Sequence, residues 1–178
     1  FIESFALAPA FAAMGGIDPS DGLRTFQSIN RDKVTIDGIE LKGEVSFSYA
    51  VSMKLALAMA DGTDVETGQP LNSIEPLTGV LGFAFKPSDR FGFELIATGV
   101  EGKDEADIDD SDPRFSTAGY VIVDLLVHYQ VAPSVRLNAG VFNVTDRTYI
   151  QWSDTAGIGG DDVNRFTQPG TNASVTLR

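Results

Sequence analysis

From Ile39 to Met59 every odd position except Gly43 is apolar (Ile39, Leu41, Val45, Phe47, Tyr49, Val51, Met53, Leu55, Leu57, Met59), while Glu40, Lys42, Glu44, Ser46, Ser48, Ser52 and Lys54 occupy even ones. A period of two puts successive side chains on opposite faces of a strand and cannot line one face of a helix. The same alternation returns at Leu81–Phe85, Phe91–Ala97, Val121–Tyr129, Val135–Val141 and Ala173–Leu177. The chain is therefore expected to be all-β. Periodicity alone leaves open whether the apolar face turns inward, as in a soluble barrel, or outward to lipid.

The connections discriminate. Short ones fall around Tyr49–Ser52, Lys86–Arg90 and Gln130–Ser134, carrying turn residues such as Pro87, Ser88, Asp89 and Pro133. Long ones span Ala8–Leu23, Asp61–Leu77, Glu101–Ala118 and Asp146–Gly170. Strict alternation of short and long connections is the pattern of a transmembrane antiparallel β-barrel, with short periplasmic turns and longer outer loops. Eight strands are predicted: Phe1–Leu7, Thr25–Phe47, Val51–Ala60, Gly79–Phe85, Arg90–Val100, Gly119–Tyr129, Val135–Val144 and Thr171–Arg178. The run Thr25–Phe47 is longer than a span of roughly 9–11 residues requires, so part of it should project beyond the bilayer. Phe47, Tyr49, Phe91, Tyr129 and Tyr149, near strand ends, suit interfacial aromatic girdles.

Composition narrows the function. No apolar run is long enough for a helical span, and the absence of Cys excludes a disulfide scaffold. A net charge of −12 disfavours nucleic-acid phosphates as a partner. Half of it lies in Glu101–Asp112, where seven acids (Glu101, Asp104, Glu105, Asp107, Asp109, Asp110, Asp112) accompany one base, Lys103. Such a run is read as a solvated outer loop rather than a Ca²⁺ site, since it lacks the Gly and distal Glu of an EF-hand. Asp61, Asp64 and Glu66 are read in the same way. No Ser/His/Asp grouping and no carboxylate pair on one rigid element is present, so neither an enzyme nor a resident cofactor or metal is expected. Gly157–Gly160 has no strand-to-helix context and reads as loop, not as a phosphate cradle.

The most specific words lie near the end. Leu137-Asn138-Ala139-Gly140-Val141-Phe142-Asn143-Val144-Thr145-Asp146-Arg147-Thr148-Tyr149, followed by Gln168-Pro169-Gly170 before the last strand, resembles the C-terminal end of TonB-dependent outer-membrane receptors. There an N-[LV]-[TF]-[DN]-x-x-Y step leaves the penultimate strand and QPGR opens the last. Gln151-Trp152-Ser153-Asp154, Arg165–Gly170 and Thr67–Leu77 look like the haem and haemoglobin receptor branch, and Ile36–Glu40 is similar to the step into a late barrel strand. Thr171 stands where the family has Arg, and the chain stops at Arg178 without the usual terminal aromatic.

The resemblance implies a fold and a set of partners. The family's barrels have about 22 strands and a plugged lumen, so residues 1–178 would be the C-terminal portion of one, with the plug domain and TonB box absent. Partners would be outer-membrane lipid of a Gram-negative bacterium, the rest of the barrel, the plug, TonB through the missing part, and an iron carrier such as haem or a siderophore. Asn143, Asp146, Tyr149, Gln168, Pro169 and Gly170 carry the family motif. Even positions, among them Glu94, Asp124, His128 and Arg136, would face the lumen. Tyr149 and Trp152, at the start of the last long loop, are candidates for stacking on a flat ligand. His128, the sole histidine, lies near the short-turn end and is read as lumen-lining. Two alternatives are a complete eight-stranded barrel with an adhesive or structural role and, more weakly, a soluble β-sandwich.

Overall fold

A computed structural model of the chain describes residues 2–7, 17–20, 22, 26–30, 32–109, 114–156, 163 and 165–178, with side chains outside 2–7 and 26–30. The Gly157–Gly160 run, the acids Asp110 and Asp112 and most of the expected loop 8–23 lie outside the described residues. Strand β1 (Ile2–Leu7) pairs antiparallel with β2 (Phe26–Asn30). A second sheet holds β3 (Val34–Ser46), β4 (Val51–Asp64), β5 (Thr78–Ser88), β6 (Phe91–Val100), β7 (Tyr120–Ala132), β8 (Val135–Phe142) and β9 (Asn172–Leu177), all antiparallel and in chain order. Among the described residues no helix is long and apolar enough to cross a membrane.

The expected single strand Thr25–Phe47 is two strands. The polar run Asn30-Arg31-Asp32-Lys33 interrupts the alternation, and the Lys33 carbonyl accepts the Val65 amide at 3.0 Å instead of continuing a ladder with β1. Closure as a complete eight-stranded barrel is not what forms: β1 pairs only with β2, while β3 and β9 each have one neighbour in the larger sheet. Two long edges with unpaired backbone groups would be costly in hydrocarbon, several kcal/mol per group.

The ladders fix which residues share a face. Ile39 faces Met59, Leu55 faces Leu81, Phe83 faces Leu95, Leu95 faces Leu125, Val127 faces Ala139, and Ala139 faces Val175. Odd thus meets odd and even meets even across all seven strands, apart from the irregularities at Phe85/Ser88 and Gln130/Ala132, both beside short turns. The odd face is one continuous apolar surface, and it is not covered: Ile39 is 63% exposed, Val121 60% and Val175 70%. Its short-turn end is aromatic, with Phe47 and Tyr49 exposed, Phe91 paired with Tyr129, and the Phe93 ring 5.6 Å from Phe85 and 6.2 Å from Phe83. Tyr149 lies at the opposite, long-connection end of the sheet.

Among the described residues no second layer covers the sheet. The chain presents 11117 Å² of accessible surface, whereas a soluble globule of this mass would present roughly 8,400 Å². Among the described residues the buried apolar side chains are Leu71, Ile108 and Trp152, and none of the three is in a strand. The hydrophobic core sits in the long connections at one end of the sheet.

Candidate functional site

The connections 65–77, 101–119 and 143–171 leave the sheet at the same end, because an antiparallel meander returns each hairpin to the side it left. Asn72, nearly fully buried, ties them together. Its carbonyl accepts Trp152 Nε1 at 2.9 Å and an Arg114 guanidinium nitrogen at 2.8 Å, and its side-chain Oδ1 accepts the Asp109 amide at 2.9 Å. Three residues from the two other loops thus converge on one asparagine. The Trp152 indole, 2% exposed, lies 5.0 Å from the Arg114 guanidinium carbon and 5.7 Å from Lys103 Nζ. A desolvated cation over an indole face stabilises by about 2 kcal/mol. Lys103 also reaches the Ile74 carbonyl at 3.4 Å, and the backbones of Lys103 and Thr117 bond reciprocally at 2.9 and 3.0 Å.

The acidic loop is therefore anchored at both ends of its described part rather than simply solvated, with Ile108 and Asp109 buried. Asp64 departs from the solvated reading too: it is buried, and its Oδ1 accepts the Glu66 and Thr67 amides at 2.8 and 3.2 Å to hold the turn after β4. Glu75, next to these cations, has its carboxyl pushed above the ordinary value by partial burial, opposed by Arg114 and Lys103.

The motif residues form a second unit at the foot of the last loop. Asn143, buried with a φ of 50°, donates from Nδ2 to the Arg147 carbonyl at 2.8 Å and the Pro169 carbonyl at 3.2 Å, and its Oδ1 accepts the Arg147 amide at 2.9 Å. Asp146 (φ 51°) accepts the Thr171 amide at 2.9 Å, and a Cβ on Gly170 would strike that same Oδ1. The Thr171 hydroxyl donates to the Asn143 carbonyl at 2.8 Å. The Gln168 amide bonds the Tyr149 carbonyl at 2.9 Å, and its side chain reaches Asp154 at 2.6 Å. Asparagine and aspartate tolerate the left-handed backbone conformation better than other side chains, so this spacing clamps the start of the loop against its end and sets β9 beside β8. At this foot Thr171 ties down the start of β9 through its hydroxyl and amide.

Tyr149 stacks on Tyr120, ring centroids 4.2 Å apart, with its phenol pushed up by burial and by the Asp124 carboxylate. With Phe115 and Ile150 the two tyrosines line a hollow of about 390 Å³. Trp152 is enclosed in the loop core, whereas Tyr149 is half-buried and borders open space.

The residues expected to face the lumen share the even face but not one site. Asp124 Oδ1 accepts the Asn143 amide at 2.8 Å, so it braces the loop foot. His128, four residues along β7, lies about 13 Å farther along the strand, packed against Gly92, where a Cβ would collide with the imidazole. Glu94 and His128 border a hollow of about 410 Å³ with Lys86 and Asn138; on its other side Glu94 joins Lys42, Glu44 and Lys54 around one of about 540 Å³. Arg136 Nε donates to Gln130 at 3.1 Å beside the short turn. Asn72, Lys103 and Arg114 are the site residues that the sequence reading passed over. Only Asn72 lay within a quoted family word.

Residues 5–144 match the family model described as "TonB dependent receptor-like, beta-barrel". The chain belongs to the TonB-dependent receptor family. Hemoglobin-binding protein A of Haemophilus influenzae is 28% identical over 182 residues, covering 86% of this chain and 18% of that protein. This TonB-dependent receptor barrel segment therefore spans less than a fifth of that relative's length. Among solved structures, "Copper transporter OprC" superposes over 99% of the chain and 26% of its own, with a TM-score of 0.78 at 21% identity. The ferric enterobactin receptor of Pseudomonas aeruginosa superposes over the same shares with a TM-score of 0.70 at 20% identity. In a transmembrane barrel the apolar face is turned outward to lipid, so a sheet of this family needs no second layer over it.

Proposed function

We propose that this segment is the C-terminal part of a TonB-dependent receptor in the outer membrane of a Gram-negative bacterium, and that the intact receptor takes up an iron carrier, haem in particular. The observation that carries the cargo is the extent of the likeness to haemoglobin-binding protein, 86% of the chain, far more than its strands occupy. The likeness therefore runs through the knitted loops as well as the sheet.

In this reading the odd face meets lipid and the even face, with Glu94, Asp124, His128 and Arg136, lines the lumen toward the plug. In this role the segment binds, positions and insulates. The buried Asn72–Trp152–Arg114 junction holds the loops as a fixed rim. Tyr149 supplies aromatic surface at that rim for a flat ligand, and Trp152 holds the loops behind it. Energy delivered through TonB moves the plug, not this wall.

The test is a spectral titration of the intact detergent-solubilised receptor with haem, alongside a ferric siderophore. A saturable Soret shift, weakened several-fold by Tyr149→Ala, is expected. Saturable siderophore binding with no Soret change would remove haem as the cargo while leaving the receptor assignment in place.

A further inference from the structure

The outer connections 65–77, 101–119 and 143–171 carry thirteen acids against four bases. An anionic group approaching this rim meets a repulsive field, so a pocket that admits one must keep carboxylates out of its walls. The hollow of about 390 Å³ between residues 115–120 and the two ends of the last loop does so. Tyr120, Tyr149, Phe115 and Ile150 give it aromatic and apolar walls, and Arg147 is the one charged residue among those lining it. The carboxylates that act on its two phenols, Glu75 and Asp154 on Tyr120 and Asp124 on Tyr149, stay outside the lining. Two of these three are held elsewhere: Asp124 accepts the Asn143 amide at 2.8 Å, and Asp154 accepts the Gln168 side chain at 2.6 Å.

Arg147 is unlike the loop cations Lys103 and Arg114, which lie over the Trp152 indole and bond the Ile74 and Asn72 carbonyls. Its backbone is fixed, the amide bonded to Asn143 Oδ1 at 2.9 Å and the carbonyl to Asn143 Nδ2 at 2.8 Å. Among the described residues its guanidinium has no hydrogen-bond or ion-pair partner. It also fills an x position of the N-[LV]-[TF]-[DN]-x-x-Y word, so the motif fixes where this residue stands and leaves its side chain open to specialisation. Beside it the Tyr120 and Tyr149 rings stack with centroids 4.2 Å apart. The hollow thus offers two kinds of recognition together: aromatic surface for a flat ring, and a planar fork of donors matched to the paired oxygens of a carboxylate.

We propose that this hollow is a specificity site for a flat conjugated ring bearing anionic oxygens at its edge, the ring against the tyrosine pair and the oxygens on Arg147. For haem, the cargo proposed above and the reading on which this site rests, the propionate edge is the part that enters. The hollow admits one edge of a tetrapyrrole and leaves the rest of the ring over its mouth. A catecholate siderophore presents the same chemistry through its anionic aromatic rings. With no carboxylate in the lining, an uncharged analogue of either ligand loses the attraction to Arg147 and escapes no local repulsion.

The experiment titrates the intact detergent-solubilised receptor with haem and with haem dimethyl ester, whose two propionates are capped, and compares the ratio of the two dissociation constants between variants. Taking that ratio cancels the ester's partition into micelles and any loss of folded receptor. Arg147→Gln should weaken haem about tenfold, as one charge-assisted bond predicts, and leave the ester within about twofold. Arg147→Lys, which keeps the charge but not the fork, should fall between, and it carries the comparison should glutamine disturb the loop foot. Arg147 also borders the odd-face hollow, where Glu101 is part of the lining, so Glu101→Gln should leave the ratio within about twofold. A ratio unmoved by both Arg147 variants would overturn the site while leaving haem as cargo, and a ratio moved as far by Glu101→Gln would overturn it as well. If haem gives no Soret change at all, the cargo reading fails and a ferric catecholate siderophore, followed by protein fluorescence quenching, takes its place. Binding weakened about tenfold by Arg147→Gln would then support the site with that source, and binding indifferent to Arg147→Gln would overturn it.

Discussion

Replacing Asn143 by alanine removes three things at once. Two short hydrogen bonds to the Arg147 backbone, at 2.8 and 2.9 Å, and a longer one to Pro169 are lost within a site that is 3% exposed. Each such bond contributes about 1 kcal/mol net, and the stranded backbone groups add to the loss. Alanine must also hold a φ of 50°, which costs roughly 1 kcal/mol or more that asparagine and glycine largely escape. The expected loss for Asn143→Ala is about 3–4 kcal/mol in the local opening of the loop foot, and for Asn143→Gly about 2–3 kcal/mol. Hydrogen exchange at the Arg147 amide, in the intact receptor under conditions where reclosing is faster than intrinsic exchange, reads this opening equilibrium directly. Protection should fall by about two to three orders of magnitude for alanine, at roughly tenfold per 1.4 kcal/mol. Glycine should lie about five- to tenfold closer to the parent. Protection unchanged in both variants would refute the hydrogen-bond reasoning, and identical losses would refute the backbone-conformation part.

Three further outcomes are expected. Trp152→Ala, which empties the loop core, should cost about 3–5 kcal/mol and expose the 101–119 connection to limited proteolysis, whereas Trp152→Phe should protect it partly because the ring survives without the donor to Asn72. Gly92→Ala should lower the melting temperature because its Cβ strikes His128, and His128→Ala in the same chain should restore most of it; additive losses in the double variant would contradict the contact. Glu75 has a raised folded pKa, so the folded loops bind more protons than the unfolded chain. Its contribution is then fully present below the ordinary carboxylate range and lost as pH rises through the raised value. Glu75→Gln should flatten that fall in a pH series of loop protection, and an unchanged pH profile would exclude Glu75 as its source.

Much of the sheet was legible in the residues. The two-residue period of Ile39–Met59 and its returns located seven of the strands, because a sheet with one apolar and one polar face imposes that difference on alternate residues. The break at Asp32–Lys33 was missed because the apolar pattern resumes on the far side of it. The loops were the harder part. Trp152 reads as an exposed aromatic when its neighbours in sequence are polar, and what buries it is a carbonyl 80 positions away. Asp64 and Asp109 likewise look like members of charge runs, and only the fold shows that one holds a turn while the amide of the other bonds Asn72. The motif residues Asn143, Asp146 and Gly170 were visible as words, while the reason for the spacing, two left-handed residues facing the start of β9, needed the coordinates.

The parity of the ladders also limits how such a chain can change length. Adding or deleting one residue within β5 would transfer every later side chain of that strand from one face to the other, placing Phe83 on the polar even face and Ala84 on the apolar odd one, unless the extra residue were extruded as a new bulge. Insertions inside the strands are therefore tolerable in pairs, whereas the connections 65–77, 101–119 and 143–171 can take any number that leaves the Asn72 junction intact. The two existing irregularities, at Phe85/Ser88 and Gln130/Ala132, sit at the rim beside the short turns, where a residue out of step displaces nothing beyond it. Alignments of such barrels should accordingly show odd-numbered gaps gathered at the two rims and none at mid-span.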